Sequence, residues 1–441
     1  MTSLSRVLAA SARSSTPAGE EAAEIGRIAE VLLAKTRRAA RSRPEVEDVV
    51  LGGSLAKGTW LPGMADIDVF VRMKPGTKAA AFERAGLAIG AGATRGYPRG
   101  KKYAQHPYIE ATVEGVRVNV VPCYAVEPPG WKSAADRSPF HVEVVKALPD
   151  AQKTQVRMLK RFMRAVGVYG AEIEVQGFSG YVAEVMIMKH GDLAGVLRHY
   201  AGAELPQKGE PLSLPDPVDP SRNLGVAVSA EKLGRFVLAA REFLSRPSPG
   251  FFSTMPARPR EALKGSVVGV VFAHRRLSED VLWGELKKSL RGLVRLADSR
   301  GFKVARSAAA SDDATRSAFL IIPEFASLPT LEQRAGPTVD RPEETRSFVS
   351  ANKSALLVWV DDDARVRLLQ RRKFTSLPVF LREACSGKEG PFGASREVAE
   401  GLGRGARVLT GDALKSAARS RPWLQKGVEE ITSDAIGTRG S

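Results

Sequence analysis

The sequence predicts an α+β multidomain protein: an α/β head, a helical central domain, and a ferredoxin-like α/β body that runs into a C-terminal tail. Three observations lead there. The chain has 441 residues, 43% of them hydrophobic and 26% charged, which fits about three domains of ordinary globular composition. Strand-period and helix-period segments alternate up to about residue 125, and from Pro149 the pattern is helical alone. A β-α-β-β order then returns after residue 260. The boundaries so placed are 1–148, 149–260 and 261–441.

Taken in order, Thr16-Pro17 followed by Glu20 and Glu21 opens a helix, with proline at its first position. Ile25, Ile28, Leu32 and Leu33 carry its apolar stripe to about Ala40. Residues 46–51 form a short strand that Gly52-Gly53 ends. Residues 54–60 form a helical turn, 66–73 a strand and 79–89 a helix. Residues 108–113 and 116–121 make a hairpin around Glu114-Gly115. Beyond Pro149, Val156, Leu159, Met163 and Val166 share one helix face. Arg157, Lys160, Arg161 and Arg164 share another, read as a solvated basic face placed to meet phosphate. Residues 202–223 and 247–260 read as loops around a helix at 231–244. The body then begins with a strand at 266–273, a helix at 278–300 and strands at 302–308 and 318–323. A hairpin of 355–360 with 364–369 turns across Asp361-Asp362-Asp363, and basic Arg371-Arg372-Lys373 follows it. From about Ser433 the apolar periodicity stops, and a disordered tail is expected.

Lys plus Arg outnumber Asp plus Glu by 66 to 49, a formal charge of +17. So basic a chain is expected to meet a polyanion, with nucleic acid the leading candidate. Its two cysteines, Cys123 and Cys385, have no metal-type spacing with histidine and make no disulfide framework. No apolar run approaches the length of a membrane span, and residues 1–13 hold no signal-peptide core. The expected location is cytoplasmic, with no membrane partner.

The chemistry concentrates in residues 52–68. A Gly-Ser turn, Gly53-Ser54, leads into a short helix, and a strand then begins Asp66-Ile67-Asp68. Side chains alternate along a strand, so Asp66 and Asp68 share one face while Ile67 enters the core. Two hard oxygen ligands on one rigid edge, opposite a turn that offers backbone N–H groups to phosphate, suit Mg²⁺ with a nucleoside triphosphate. A lone D-x-D is weak; turn, helix and carboxylate strand in this order are what nucleotidyl transfer requires. Two-metal transfer also calls for a third carboxylate on a neighbouring strand. The matching position in Val116-Arg117-Val118-Asn119-Val120-Val121 is Asn119, an amide with no charge and no capacity to act as a base.

Further motifs follow: Val120-Val121-Pro122-Cys123-Tyr124, Lys132 through His141, and Gly167-Val168-Tyr169-Gly170-Ala171-Glu172. Gly177-Phe178-Ser179-Gly180-Tyr181, Asp216-Pro217-Val218-Asp219-Pro220 with Arg222-Asn223, and Arg334-Ala335-Gly336-Pro337 complete the series. In these motifs and their order the chain resembles the archaeal-type (class I) CCA-adding enzymes, tRNA nucleotidyltransferases of the DNA polymerase β superfamily.

The resemblance implies a polymerase β-like nucleotidyltransferase head, a helical neck, and an RNA-binding body and tail. It implies template-independent addition and repair of the 3′-terminal CCA of tRNA from CTP and ATP, with pyrophosphate released. Ser54 and Lys57 would bind the nucleotide, Lys57 standing where many relatives carry arginine. His141, Lys160 and Tyr169 would contact triphosphate or ribose, and Arg222 the region of the incoming base. Asp66, often glutamate in relatives, and Asp68 would be catalytic metal ligands for Mg²⁺. The tRNA acceptor stem and elbow are the implied RNA contacts, and a homodimer the implied assembly. Relatives carry aspartate at the position of Asn119. Three readings stay open: a substitution that cripples catalysis, another carboxylate such as Glu110 reaching in, or two aspartates sufficing for a slower enzyme. A poly(A) polymerase-like enzyme and a catalytically silent tRNA-binding homologue are the competing functions.

Overall fold

The structure, a computed structural model, describes residues 3–204, 209–253 and 259–434. Residues 205–208 and 254–258 of the two expected loops, and the tail after Asp434, lie outside the described residues. The described chain forms two compact units, one ending at 253 and the other starting at 259.

The first unit opens with α1 (Ser3–Ser15) and α2 (Gly19–Ala40). There follow β1 (Val46–Gly52), α3 (Gly53–Lys57), β2 (Asp66–Met73), α4 (Ala79–Ala93), β3 (Arg99–Tyr103), β4 (Pro107–Val113) and β5 (Val116–Tyr124). The strands make one sheet in the order β1-β2-β5-β4-β3, with β2 and β5 parallel and the other neighbours antiparallel. Ile67, Val69, Val71 and Met73 of β2 and Val118 and Val120 of β5 lie on one sheet face and are buried with Ile28 and Leu32 of α2 and Phe82, Ala85 and Ile89 of α4. Alternation therefore sends Asp66, Asp68, Arg117 and Asn119 to the opposite face. Helix α4 comes close because Gly90 has no side chain: a Cβ there would lie 2.8 Å from Ile109.

Helices then take over: α5 (Ser138–Lys146), α6 (Asp150–Ala165), α7 (Gly180–His190), α8 (Leu193–Ala201) and α9 (Ala230–Ser245). Ser179, Asp192 and Ser229 cap α7, α8 and α9 by accepting a backbone N–H. Phe162, Phe178, Phe236 and Phe243 are fully buried at the centre of the core between them. Leu4, Leu8 and Ala12 place α1 against that core. The sequence reading had no helix there.

The second unit holds α10 (Glu261–Lys264), β6 (Val268–Ala273), α11 (Glu279–Ser299), β7 (Val304–Ser311) and β8 (Arg316–Pro323). It continues with β9 (Leu331–Thr338), α12 (Pro342–Ala351), β10 (Leu357–Val360) and β11 (Arg365–Arg371). Last come α13 (Leu377–Cys385), α14 (Arg396–Gly403), β12 (Arg407–Thr410), α15 (Gly411–Arg419) and α16 (Pro422–Ile431). The larger sheet runs β12-β6-β8-β7 with antiparallel neighbours. This is the ferredoxin-like split unit expected from β6, α11, β7 and β8, completed by a distant strand, β12, beside β6. A second sheet, β10-β11-β9, contains the expected hairpin. Of the basic trio that follows it, Arg372 pairs with Glu332 and Lys373 with Glu389, while Arg371 is exposed. Among the described residues no helix is long and apolar enough to cross a membrane.

Two glycines separate packing from propensity. Gly90→Leu should lower stability by at least about 2 kcal/mol through overpacking against the sheet. Gly26→Ala, in α2 where nothing lies within 4 Å of an added Cβ, should raise it by about 0.5–1 kcal/mol. Thermal unfolding of the two variants checks both signs.

Candidate active site

The site is built on one cross-strand row. Gly52 on β1 stands opposite Asp68 on β2, Asp68 opposite Asn119 on β5, and Asn119 opposite Glu110 on β4. Asp66 stands opposite Arg117 in the same register. The turn above the row sits hard against it. Gly53 has φ +63°, and a Cβ on it would meet Asp68 Oδ2 at 1.9 Å. Only glycine tolerates both the left-handed backbone and that approach. Ser54 follows in the first turn of α3.

Asn119 donates from Nδ2 to Asp68 Oδ1 at 2.9 Å, while its own Oδ1 is buried with no hydrogen-bond partner. Arg117 forks onto Asp66, Nε donating to Oδ1 at 2.9 Å and Nη2 to Oδ2. Burial pushes the Asp68 carboxyl above its ordinary range, and the Asn119 amide pulls against that. Glu110 shares the row, but its Oε1 faces Lys102 Nζ at 3.9 Å. Among the described residues no three His, Cys, Asp or Glu side chains are grouped to hold a metal. The side-chain oxygens this edge offers are those of Asp66 and Asp68 and the unbonded Asn119 Oδ1. Such a set fits a hard divalent ion once Arg117 leaves Asp66.

Beside the row lies a buried charge cluster. Lys57, at the end of α3, donates to Glu184 Oε2 at 2.8 Å, and Lys160 on α6 donates to Glu184 Oε1 at 2.8 Å. Thr59 donates to the same Oε1 at 2.5 Å. Lys160 also reaches the Thr59 carbonyl and hydroxyl, at 3.2 and 3.0 Å. Of the basic stripe read on α6, Lys160 is turned inward and the arginines are half-buried. Lys160 is only 2% exposed, Arg157 donates to the Gly58 carbonyl and Arg161 to that of Phe252. The face packs partly on polar backbone and a carboxylate, with Arg157, Arg161 and Arg164 half-buried. Tyr169 sits close by, its hydroxyl and Lys160 Nζ both within 3.4 Å of where a Cβ on Gly180 would stand. Burial pushes the Tyr169 phenol up.

A third group surrounds Asp216. His141 Nε2 and Tyr181 OH are each 3.0 Å from its carboxylate, the Val218 N–H donates at 2.9 Å and Arg222 Nη1 lies at 3.3 Å. The His141 ring stacks on Tyr181 with centroids 3.8 Å apart. Burial alone would raise the Asp216 carboxyl, but the hydrogen bonds from His141, Val218 and Tyr181 outweigh it and hold the group at about 2. Burial pulls the His141 imidazole down, against the pull of Asp216. His141, Tyr181 and Arg222 line a pocket of about 220 Å³ with Ser138, Ser179 and Leu224.

The candidate site residues Ser54, Lys57, Asp66, Asp68, Asn119, His141, Lys160, Tyr169 and Arg222 thus all lie in the first unit, whereas the Arg334–Pro337 motif and the basic trio Arg371-Arg372-Lys373 lie in the second. The reading passed over Arg117, Tyr181, Glu184 and Asp216 as site residues. Tyr181 and Asp216 stand inside quoted motifs. Glu184 is the lone charge in the apolar run Val182-Ala183-Glu184-Val185-Met186, which is itself a signal, because a buried charge requires a partner.

Comparison with known proteins adds to this geometry. Residues 33–141 match the nucleotidyltransferase domain family, residues 154–253 the family described as tRNA nucleotidyltransferase, second domain, and residues 264–411 that described as CCA-adding enzyme, C-terminal domain. The CCA-adding enzyme of Haloarcula marismortui is 32% identical over 443 residues, covering 91% of this chain and 93% of the relative. That of Methanopyrus kandleri is 32% identical over 476 residues, covering 97% of each. That of Pyrobaculum neutrophilum is 39% identical over 311 residues, 66% of this chain and 72% of the relative.

Asp216 gives the site a pH signature. Its folded carboxyl is held below the ordinary value of 3.8, so its contribution is complete above that value and fades as pH falls toward 2. Asp216→Asn should cost about 3 kcal/mol near neutrality by leaving buried partners unmatched. Denaturant titrations at a series of pH values should show the gap to wild type closing below pH 4.

Proposed function

This chain belongs to the CCA-adding enzymes, which are nucleotidyltransferases, and from that premise we propose that it adds and repairs the 3′-terminal CCA of tRNA from CTP and ATP without a template. The observation that carries the reading is the Asp66–Asp68 edge set beneath the Gly53-Ser54 turn, with two lysines, a histidine–tyrosine stack and a pocket alongside. In the reaction the tRNA 3′-oxygen attacks the α-phosphorus of the nucleotide. A new phosphodiester bond forms, the α–β bridge breaks, and pyrophosphate leaves.

The chain's own groups divide this work. Ser54 and the N–H groups of the turn meet the phosphates, and Lys57, Lys160 and Tyr169 hold the triphosphate. His141 and Arg222 border the pocket in which ribose and base are placed. Asp66 and Asp68 would hold Mg²⁺, which when bound offsets triphosphate charge and acidifies the attacking hydroxyl. In a two-ion arrangement Asn119 offers only a neutral oxygen, so activation of the hydroxyl suffers more than retention of the nucleotide. Turnover is then the property that Asn119 limits.

We assign residues 1–148 to the nucleotidyltransferase part, 149–260 to the neck, and 261–441 to an RNA-binding body and tail. The charge of +17 supports contact with the tRNA acceptor stem and elbow, read through shape, backbone and 2′-hydroxyl groups. A homodimer in the cytoplasm completes the reading. The Asn119 amide also favours one alternative, a homologue that binds tRNA without extending it.

Incorporation of labelled nucleotide into tRNA lacking CCA tests these statements. Wild type should use both CTP and ATP and stop after three additions. Asn119→Asp should be at least about tenfold faster, about 1.4 kcal/mol of barrier, with nucleotide affinity nearly unchanged. Equal rates would refute the role given to Asn119. Tight tRNA binding with no incorporation at any Mg²⁺ or Mn²⁺ concentration would favour the silent homologue.

A further inference from the structure

The Glu184 cluster has a function that its burial alone does not explain. Glu184 on α7 is 1% exposed, and both its oxygens are occupied, Oε1 by Lys160 and Thr59 and Oε2 by Lys57. Two cations thus share one anion, which leaves one positive charge in excess in a dehydrated setting. The partners come from two places in the chain: Lys57 and Thr59 at and just beyond the end of α3, and Lys160 from the middle of α6. Tyr181 lies one turn before Glu184 on the same helix, so the two share a face. Lys57 Nζ lies 4.8 Å from the Tyr181 ring centroid. One face of α7 therefore both walls the pocket, through Tyr181, and anchors the lysine pair, through Glu184.

We propose that Glu184 is a positioning residue for triphosphate recognition, a buried anion that holds Lys57 and Lys160 together behind the Tyr181 wall of the pocket. The proposal rests on the reading of those lysines as triphosphate contacts. The charges of the two lysines outweigh the effect of burial and hold the Glu184 carboxyl at about 2, so it is anionic throughout the neutral range. An amide of the same shape at this position would leave two desolvated ammonium groups facing each other with no counter-charge. They would move apart, and the cationic pair would be lost while the pocket stayed intact. Free nucleotide then loses affinity in proportion to its phosphate charge, whereas a general packing defect would weaken every ligand alike.

Equilibrium dialysis with the full chain in Mg²⁺ buffer, using ATP and adenosine monophosphate as probes, separates these cases. E184Q should weaken ATP binding tenfold or more, about 1.4 kcal/mol. Its affinities for the monophosphate and for tRNA should stay within about twofold of wild type. E184D keeps the charge on a shorter arm, so it should lose less ATP affinity than E184Q and none for the monophosphate. It carries the test if E184Q does not fold. ATP binding by E184Q equal to or tighter than wild type would overturn the proposal. So would parallel loss of ATP and monophosphate in either variant with a lowered melting temperature, the mark of a purely structural role. Wild type that fails to bind ATP would instead bring down the nucleotide reading of the site, and this inference with it.

Discussion

The parallel pairing of β2 with β5 is the constraint on which the rest depends. Its register sets Asp66 against Arg117 and Asp68 against Asn119, and strand alternation puts all four on the face away from α2 and α4. The fully buried Ile67, Val69, Val118 and Val120 hold that register, because a slip by one residue would turn the carboxylates into the core. The same pairing that builds the acidic edge also sets Asn119 on it. The third position on the row falls to an amide, which donates to Asp68 where a carboxylate would have repelled it.

Around this edge the molecule uses buried anions as fixed points. Asp136 accepts from the backbone N–H groups of Tyr124, Lys132 and Ser133, at 2.7, 2.8 and 2.6 Å, and so secures the strap that leaves β5. Asp216 gathers His141, Tyr181 and Arg222 at the pocket. Glu184 gathers Lys57, Thr59 and Lys160. Each is costly to bury and stable only because its partners are complete. Completeness also fixes where the partners point. On the acidic edge itself Asn119 Oδ1 is buried without a partner, and Asp66 is held by the Arg117 fork.

Much of the head was legible because its signals are local. Alternation gave β2 its full extent, and the apolar stripe of α2 and the Glu114-Gly115 turn were readable without tertiary knowledge. Elements whose stability is borrowed were not. Strand β3, Arg99–Tyr103, is polar, lies at a sheet edge and exists through its pairing with β4. Strand β9 contains Gly336 and Pro337, breakers by composition, and β12 is only four residues long. Helix α1 carries Leu4, Val7, Leu8 and Ala12 at helical spacing, a local signal that went unread, and it packs that face on the helical core. The site divides in the same way. Asp66, Asp68 and Asn119 could be placed by spacing. Nothing local told that Lys57 and Lys160 would share a carboxylate 127 and 24 residues away, or that Arg117 would close on Asp66.

On the proposed reading the chain holds a nucleotide with Asp66 and Asp68 and lacks one carboxylate charge, at Asn119, for transferring it. The most direct measurement is a crystal structure of the full chain with tRNA, a non-hydrolysable CTP analogue and Mn²⁺, with the ions located by anomalous scattering. The account predicts one fully occupied ion on Asp66, Asp68 and the triphosphate, with weak or no occupancy beside Asn119 and Glu110 still turned toward Lys102. Two fully occupied ions, or Glu110 swung in as a ligand, would contradict it.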